Sequence, residues 1–253
     1  MPGVEITRVA VICDIHGNLP ALEAVIEEIR RADVERILIA GDVLPGPMPR
    51  ETLACLRELD IPFQVLHGNG DREVLAAANG ADNPALPAEV RDVVRWVAEQ
   101  LDGEDRRWIA SWPDTLRIEV EGLGAVLACH ATPRNDTDVF GERTPEAPLR
   151  PLFQDLGVAL VVCGHTHMQF DRTIAGVRVV NAGSVGMPYG DAGAYWLLLG
   201  PDVRHRRTHY DLEAAAARIR ASGYPQAGFE ERYVLSRPSR EEMDAFIART
   251  ELK

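Results

Sequence analysis

"RVAVICDIHGNLPALEAVIEEIRRADVERILIAGD", residues 8–42, decides the fold. "RVAVIC" (8–13) is a short apolar run rich in β-branched residues, which predicts a buried strand. "NLPALEAVIEEIRRA" (18–32) places Leu19, Leu22, Val25, Ile26 and Ile29 at helical spacing, and "RILIA" (36–40) is a second strand. The pattern continues with a helix over "RETLACLREL" (50–59) and a strand over "PFQVL" (62–66). Strand, helix, strand, helix, strand at this spacing predicts parallel βαβ units.

Further along, "NGADNPALPA" (79–88) reads as a loop, "EVRDVVRWVAEQL" as a helix and "EDRRWIASW" as a shorter one. "TLRIEVEGLGAVLACH" predicts a hairpin, and "RNDTDVFGERTPEAP" (134–148) an irregular rim loop. "ALVVC" (159–163) is a buried strand, and "FDRTIAGVRVVN" a hairpin turning near Gly176. "GAYWLLL" and "RHRRTHY" are two more strands. Asp211 and Ser239 are placed to cap two C-terminal helices. Parallel units early, hairpins later and no linker predict one domain over 1–253, with the helices of 211–253 packed on it. Two sheets face to face with helices outside fit this order best.

A chain of 253 residues with 46% hydrophobic and 26% charged residues can bury a sizeable core. No apolar run approaches the roughly 20 residues of a membrane span. The first residues carry no basic segment followed by an apolar stretch and a cleavage site, so a cytoplasmic protein with no membrane partner is expected. The formal charge of −12 argues against polymeric nucleic acid as the main partner, because phosphate backbones are held by Lys and Arg. The four cysteines, Cys13, Cys55, Cys129 and Cys163, form no C-x-x-C pair, and three of them end apolar runs, as buried small residues do.

Five punctuated loops follow predicted strands: "CDIHGN", "AGDVLPGP", "HGNGD", "CH" and "CGHTH". Ligands in open α/β sheets gather beyond strand C-termini. Asp14 and His16 are spaced i, i+2, as are His165 and His167, so each pair can project from one face of extended chain. Asp42 follows a turn-permitting Gly41, Asn69 adds a carbonyl oxygen, and His130 a further imidazole. Any one loop has a plain reading: "GNGD" is a turn, Asn18 a helix cap, His130 a strand-end residue. Five such loops together are not explained that way. Mixed nitrogen and oxygen donors suit Mn²⁺, Fe, Zn²⁺, Co²⁺ or Ni²⁺ better than Ca²⁺, and seven of them suffice for two divalent ions. Two metals about 3.5–4 Å apart form the clamp used in phosphoryl hydrolysis.

In this order and spacing the motifs resemble the calcineurin-like metallophosphoesterases, whose pattern is D-x-H, G-D, G-N-H-[DE], H and G-H-x-H. "GDVLPGPMP" and "NAGSVGMPYGDAGAYWLLL" resemble the YfcE-like bacterial branch. The resemblance spans roughly residues 8–211. It implies a four-layer αββα sandwich and a dinuclear metal site, with Mn²⁺ the first choice. By position, Asp14, His16 and His167 would hold one ion, Asn69, His130 and His165 the other, with Asp42 bridging. A metal-activated hydroxide would hydrolyse a small phosphodiester or nucleotide-type substrate. Asn18, at a helix N-terminus, is a candidate for contact with the phosphate.

The departure lies in the third motif, where Gly70 replaces the family's His. In the family that His is thought to protonate the leaving group, a contribution of about 10²–10⁴-fold, or to bind phosphate. Its loss points toward good leaving groups. Asp71, which orients the His in the family, is a candidate catalytic residue freed to hold water, His130 or Arg72, and His67 is not expected to reach in. The alternative is a catalytically weak scaffold, as in a retromer subunit of the same fold that also lacks this His. A protein phosphatase is a poorer match, because "GDVLPGP" lacks the GDxVDRG form. His205 and His209 read as a solvated sheet face, Trp96, Trp108 and Trp112 as packing, and "NAGSVG" (181–186) as either structure or substrate contact. Homo-oligomer formation stays open.

Overall fold

The computed structural model describes residues 6–252; the start of the chain on which the leader reading partly rests, and Lys253, lie outside that span. The first sheet is built from β1 (Val9–Ile12), β2 (Arg36–Ala40), β3 (Phe63–Leu66), β9 (Ala194–Leu199) and β10 (Val203–Thr208), in the order β10-β9-β1-β2-β3. The second takes β4 (Thr115–Val120), β5 (Gly124–Cys129), β6 (Leu160–Cys163), β7 (Phe170–Ile174) and β8 (Val177–Asn181), in the order β4-β5-β6-β8-β7. β1, β2 and β3 pair in parallel, as do β5 and β6. Their C-terminal loops therefore leave each sheet at one edge.

Alternation along the strands makes the layers. Val9 and Val11 of β1 point at Val126, Ala128 and Val162 of the second sheet. Ala10 and Ile12 point the other way, at Leu22, Val25 and Ile29 of α1 (Leu19–Arg31). Each such aliphatic side chain, fully buried, contributes about 1.5–3 kcal/mol. α2 (Pro49–Arg57), α3 (Asn69–Ala78), α4 (Ala88–Gln100) and α5 (Gly103–Ala110) bury apolar residues in the same outer core. On the opposite face, Leu149 and Phe153 of α6 (Glu146–Phe153) pack on Leu127, Val161 and Val179. The result is the four-layer αββα sandwich. α7 (Leu212–Ala221) lies beside α1, and α8 (Arg240–Thr250) sets Met243 and Ile247 against Met168 and Val139. Asp211 and Ser239 cap these two helices as expected.

Two helices depart from the sequence reading. "GNGD" does not end in a turn but opens α3: Gly68 is extended, and the Asp71 carboxylate accepts from Gly68 N at 3.0 Å, a capping contact followed by the helix formers Glu73–Ala78. α6 begins inside the segment read as an irregular loop, where Pro145, Pro148 and Pro151 conceal a helical face that buries Leu149 and Phe153. A short wide-turn helix, Glu231–Leu235, was not expected either.

Candidate metal centre

Asp14 and His16 follow β1, Asp42 follows β2, and Asn69 follows β3; His130 follows β5, and His165 and His167 follow β6. The structure brings all seven together at the edge where the two sheets meet. Five of them sit in the left-handed region: Asp14 (φ 53°), His16 (47°), Asp42 (50°), His165 (68°) and His167 (57°). For non-glycine residues this costs about 1–3 kcal/mol each and clusters at functional sites. The surrounding backbone holds the strain in place. Asp14 N donates to Gly41 O and His16 N to Asp42 O, both at 3.0 Å. Ser184 Oγ and Gly186 N both donate to Asp14 O, at 2.8 and 2.9 Å, so "NAGSVG" serves to fasten Asp14. Gly41, at φ +86°, is held to glycine because a Cβ there would stand 2.6 Å from His130 Nδ1.

Three imidazoles are oriented by main-chain carbonyls. His16 Nδ1 lies 3.1 Å from Pro45 O, His167 Nδ1 2.8 Å from Met187 O, and His130 Nδ1 2.9 Å from Ala40 O. A carbonyl can only accept, so each Nδ1 donates and each Nε2 is turned toward the centre, where it offers a lone pair to a cation or shares a proton with its neighbour. His16 Nε2 and His167 Nε2 then face each other at 3.1 Å. Two lone pairs so close repel unless a positive charge lies between them or beside them. Asp14 Oδ1 stands 3.2 Å from His167 Nε2, and Asp42 Oδ2 stands between the two halves, 3.6 Å from His16 Nε2 and 3.5 Å from His130 Nε2.

Asn69 completes the second half. One end of its amide lies 2.9 Å from His165 Nδ1 and 3.2 Å from His130 Nε2. With nitrogen at that end it donates to the rings; with oxygen there, the three atoms are a donor set for a cation. A half-turn of the amide separates the two arrangements. Without metal, the charges answer one another: His130 is raised because Asp42 and Asp14 outweigh the burial that would lower it. His165 is lowered to about 4 by burial and by neighbouring His130. Ligand atoms of Asp14, His16 and His167 lie within 4.8 Å of one another, as do those of Asp14, Asp42 and His130, and Asn69 joins His130 to His165; donors of this mix fit divalent ions of mixed nitrogen and oxygen preference.

The other candidates stand elsewhere. Asn18 is fully buried, its Oδ1 accepting from Ala21 N at 3.2 Å and its Nδ2 donating to Gly186 O at 3.0 Å. It caps α1 and ties the loop of Gly186 rather than presenting its amide to a phosphate. Asp71 is also fully buried, accepting from Leu44 N at 2.8 Å and Gly68 N at 3.0 Å, and burial and Asp42 push its carboxyl up to about 8. Both its oxygens are taken by main-chain N–H groups, so it ties the second-motif loop to the start of α3. Gly70 N donates to Asp42 Oδ1 at 2.7 Å. His67 lines a cavity next to His130. His205 and His209 are exposed, the four cysteines are free thiols, and Trp108 packs edge-on to Trp112. The carbonyls of Pro45, Ala40 and Met187 escaped the sequence reading, since a main-chain oxygen leaves no mark in residue type.

Residues 7–200 match the calcineurin-like phosphoesterase superfamily domain, and the chain belongs to that family. An uncharacterized protein of Methanocaldococcus jannaschii is 25% identical over 240 residues, covering 87% of this chain and 95% of its own. The crystal structure of a metallophosphoesterase from Sphaerobacter thermophilus is 25% identical, with TM-score 0.67, and covers 90% of this chain and 98% of its own. That of a hypothetical protein from Pyrococcus horikoshii has the same fold, with TM-score 0.75 at 21% identity over 90% of this chain and 98% of its own. No described helix is long and apolar enough to cross a membrane.

Proposed function

We propose that the chain is a two-metal phosphoesterase acting on small phosphodiester or nucleotide-type substrates. Asp14, His16 and His167 would hold one ion, Asn69, His130 and His165 the other, with Asp42 placed for both, and Mn²⁺ is the first choice of cation. The observation that carries this reading is the pair of Nε2 atoms of His16 and His167, 3.1 Å apart, each ring locked by a carbonyl behind it. When bound, two divalent ions supply an activated water and neutralise charge on the phosphoryl oxygens. The chain's own part is to fix the donors. Pro45, Met187 and Ala40 set the ring tautomers, Gly70 N holds Asp42, and Asp71 ties the second-motif loop to α3. No side chain at position 70 donates a proton to the leaving group, so esters of acidic alcohols are favoured. The free thiols suit a reducing compartment.

The test is hydrolysis of bis-p-nitrophenyl phosphate and p-nitrophenyl phosphate by metal-stripped protein, with and without Mn²⁺, and with Asp42→Ala as control. Metal-dependent turnover favouring the diester and lost in the variant is expected. Bound metal without turnover, for Mn²⁺, Fe²⁺, Zn²⁺, Co²⁺ and Ni²⁺ alike, would turn the reading to a scaffold. Gly70 favours that second reading; the full set of converging donors weighs against it.

A further inference from the structure

On the His130 side of the centre lies a cavity of about 260 Å³, walled by His130, His67, Thr115, Thr132 and Asn135, with Arg72, Arg134, Asp114 and Asp136 at its sides. It falls below the roughly 300–1,000 Å³ of pockets for drug-sized ligands. Its wall holds no Phe, Tyr or Trp, so nothing there offers a nucleobase a stacking face.

Its charges are largely cancelled. Arg72 holds Asp136 with two bonds of 2.8 and 3.1 Å, and Arg134 holds Asp138 at 2.7 Å. Asp114 forms no ion pair among the described residues and is exposed. An unpaired carboxylate with neutralised arginines is a poor seat for a second phosphate and a good acceptor for hydroxyl groups. His67 supplies a ring nitrogen. Its Nδ1 is buried with no partner among the described residues, so Nε2 is the nitrogen free to meet a hydroxyl group. Thr115 adds a hydroxyl and Asn135 its amide nitrogen, while the Thr132 hydroxyl is already spent on Asp138 Oδ2 at 2.8 Å. Alternating donors and acceptors are what vicinal hydroxyls require, because each hydroxyl both gives and takes a hydrogen bond.

We propose that this cavity receives the alcohol half that stays on the phosphate, and that this half is a small polyol, a glycerol- or sugar-type group with vicinal hydroxyls. The inference rests on the phosphoesterase reading and narrows its substrate class. In the hydrolysis one ester P–O bond breaks, a water oxygen bonds to phosphorus, and a proton from that water ends on the departing alcohol oxygen.

Two measurements on Mn²⁺-loaded protein test it. Calorimetry compares binding of glycerol 1-phosphate and propyl phosphate, which share the phosphate and differ only in hydroxyls. Turnover compares 2,3-dihydroxypropyl p-nitrophenyl phosphate with propyl p-nitrophenyl phosphate, which share an acidic leaving group and differ only in the half the cavity would hold. The polyol compound is expected to win by about tenfold or more in each, the worth of one or two well-made hydrogen bonds. His67→Phe and Thr115→Val, which keep the bulk and remove a polar atom, are each expected to shrink that preference several-fold. Thr115 is exposed, so its variant folds even where His67→Phe does not. Equal binding of the two monoesters, or a preference untouched by both variants, overturns the proposal. Bis-p-nitrophenyl phosphate keeps the two readings apart: its turnover with no polyol preference sinks the cavity assignment alone. Failure to turn it over sinks the enzyme reading, while calorimetry still decides the cavity.

Discussion

Gly70 lies so close to Leu44 that a methyl group on its Cα would stand 2.4 Å from the Leu44 carbonyl oxygen, and 2.7 Å from Pro45 Cδ. The space that a third-motif His would use is filled by main chain of the second-motif loop. Gly70 is thus built into the loop packing, and restoring the family's residue does not restore its role. Gly70→His is expected to lower both stability and metal content, and Gly70→Ala to cost about 1–3 kcal/mol by overpacking. Urea denaturation and metal analysis check this; a Gly70→His protein with normal melting and higher phosphodiesterase activity would contradict it.

His16 and His167 bear on metal stoichiometry. Replacing His167 by Ala removes one of two facing lone pairs and a neighbour of Asp14, so bound Mn²⁺ is expected to fall from about two ions per chain to about one. Elemental analysis after gel filtration reads this directly. In the unaltered protein, ion at about 100 times its Kd should stabilise the fold by about 2.7 kcal/mol, seen as a rise in melting temperature that chelator reverses.

Asp71 is tested through stability. Its two oxygens satisfy the buried N–H groups of Leu44 and Gly68. Asp71→Ala leaves both without partners, and about 2–4 kcal/mol of destabilisation is expected, since each orphaned group costs about 1–3 kcal/mol. A loss below 1 kcal/mol by urea unfolding would show that the loop finds other partners.

Glu28 should make stability depend on pH. Burial raises its carboxyl, but Arg206 and Thr208 hydrogen-bond to it and outweigh that, so its folded value lies below the ordinary 4.5. Trp196 Nε1 donates to Thr208 Oγ1 at 2.9 Å behind it. A depressed folded value means the contribution is present above the unfolded pKa and fades as pH falls through the folded one. With solvent reaching both partners, about 1 kcal/mol is expected at pH 7. Glu28→Gln should melt earlier at pH 7, and the gap should close toward pH 3; a constant gap would rule the linkage out.

The fold was legible where burial writes a period. β1, α1 and β2 read directly, because every β1 residue is buried and α1 shows one apolar stripe. α6 was hidden by three prolines, and α3 by the two glycines that open it. The clustering of Asp14, His16, Asp42, Asn69, His130, His165 and His167 was legible because each follows a strand that the apolar pattern marks. Asn18 and Asp71 stood out in the sequence because they lie beside these loops. A polar residue beside a site looks functional in sequence, and only the structure shows that its hydrogen bonds are already made within the protein. The filled space beside Gly70 depends on the path of a loop 25 residues away, which no local pattern records.

The seam between the sheets has a consequence for assembly. Four of the seven donors leave the first sheet and three leave the second. Neither sheet alone carries all seven candidate donors, so an ion would meet its full set only after the faces of Val11 and Val162 have docked. Metal affinity then reports on the joining of two halves rather than on any single loop. A substitution deep between the sheets, far from every donor, can loosen the ions by letting the halves breathe apart, and bound ions in turn hold the halves shut.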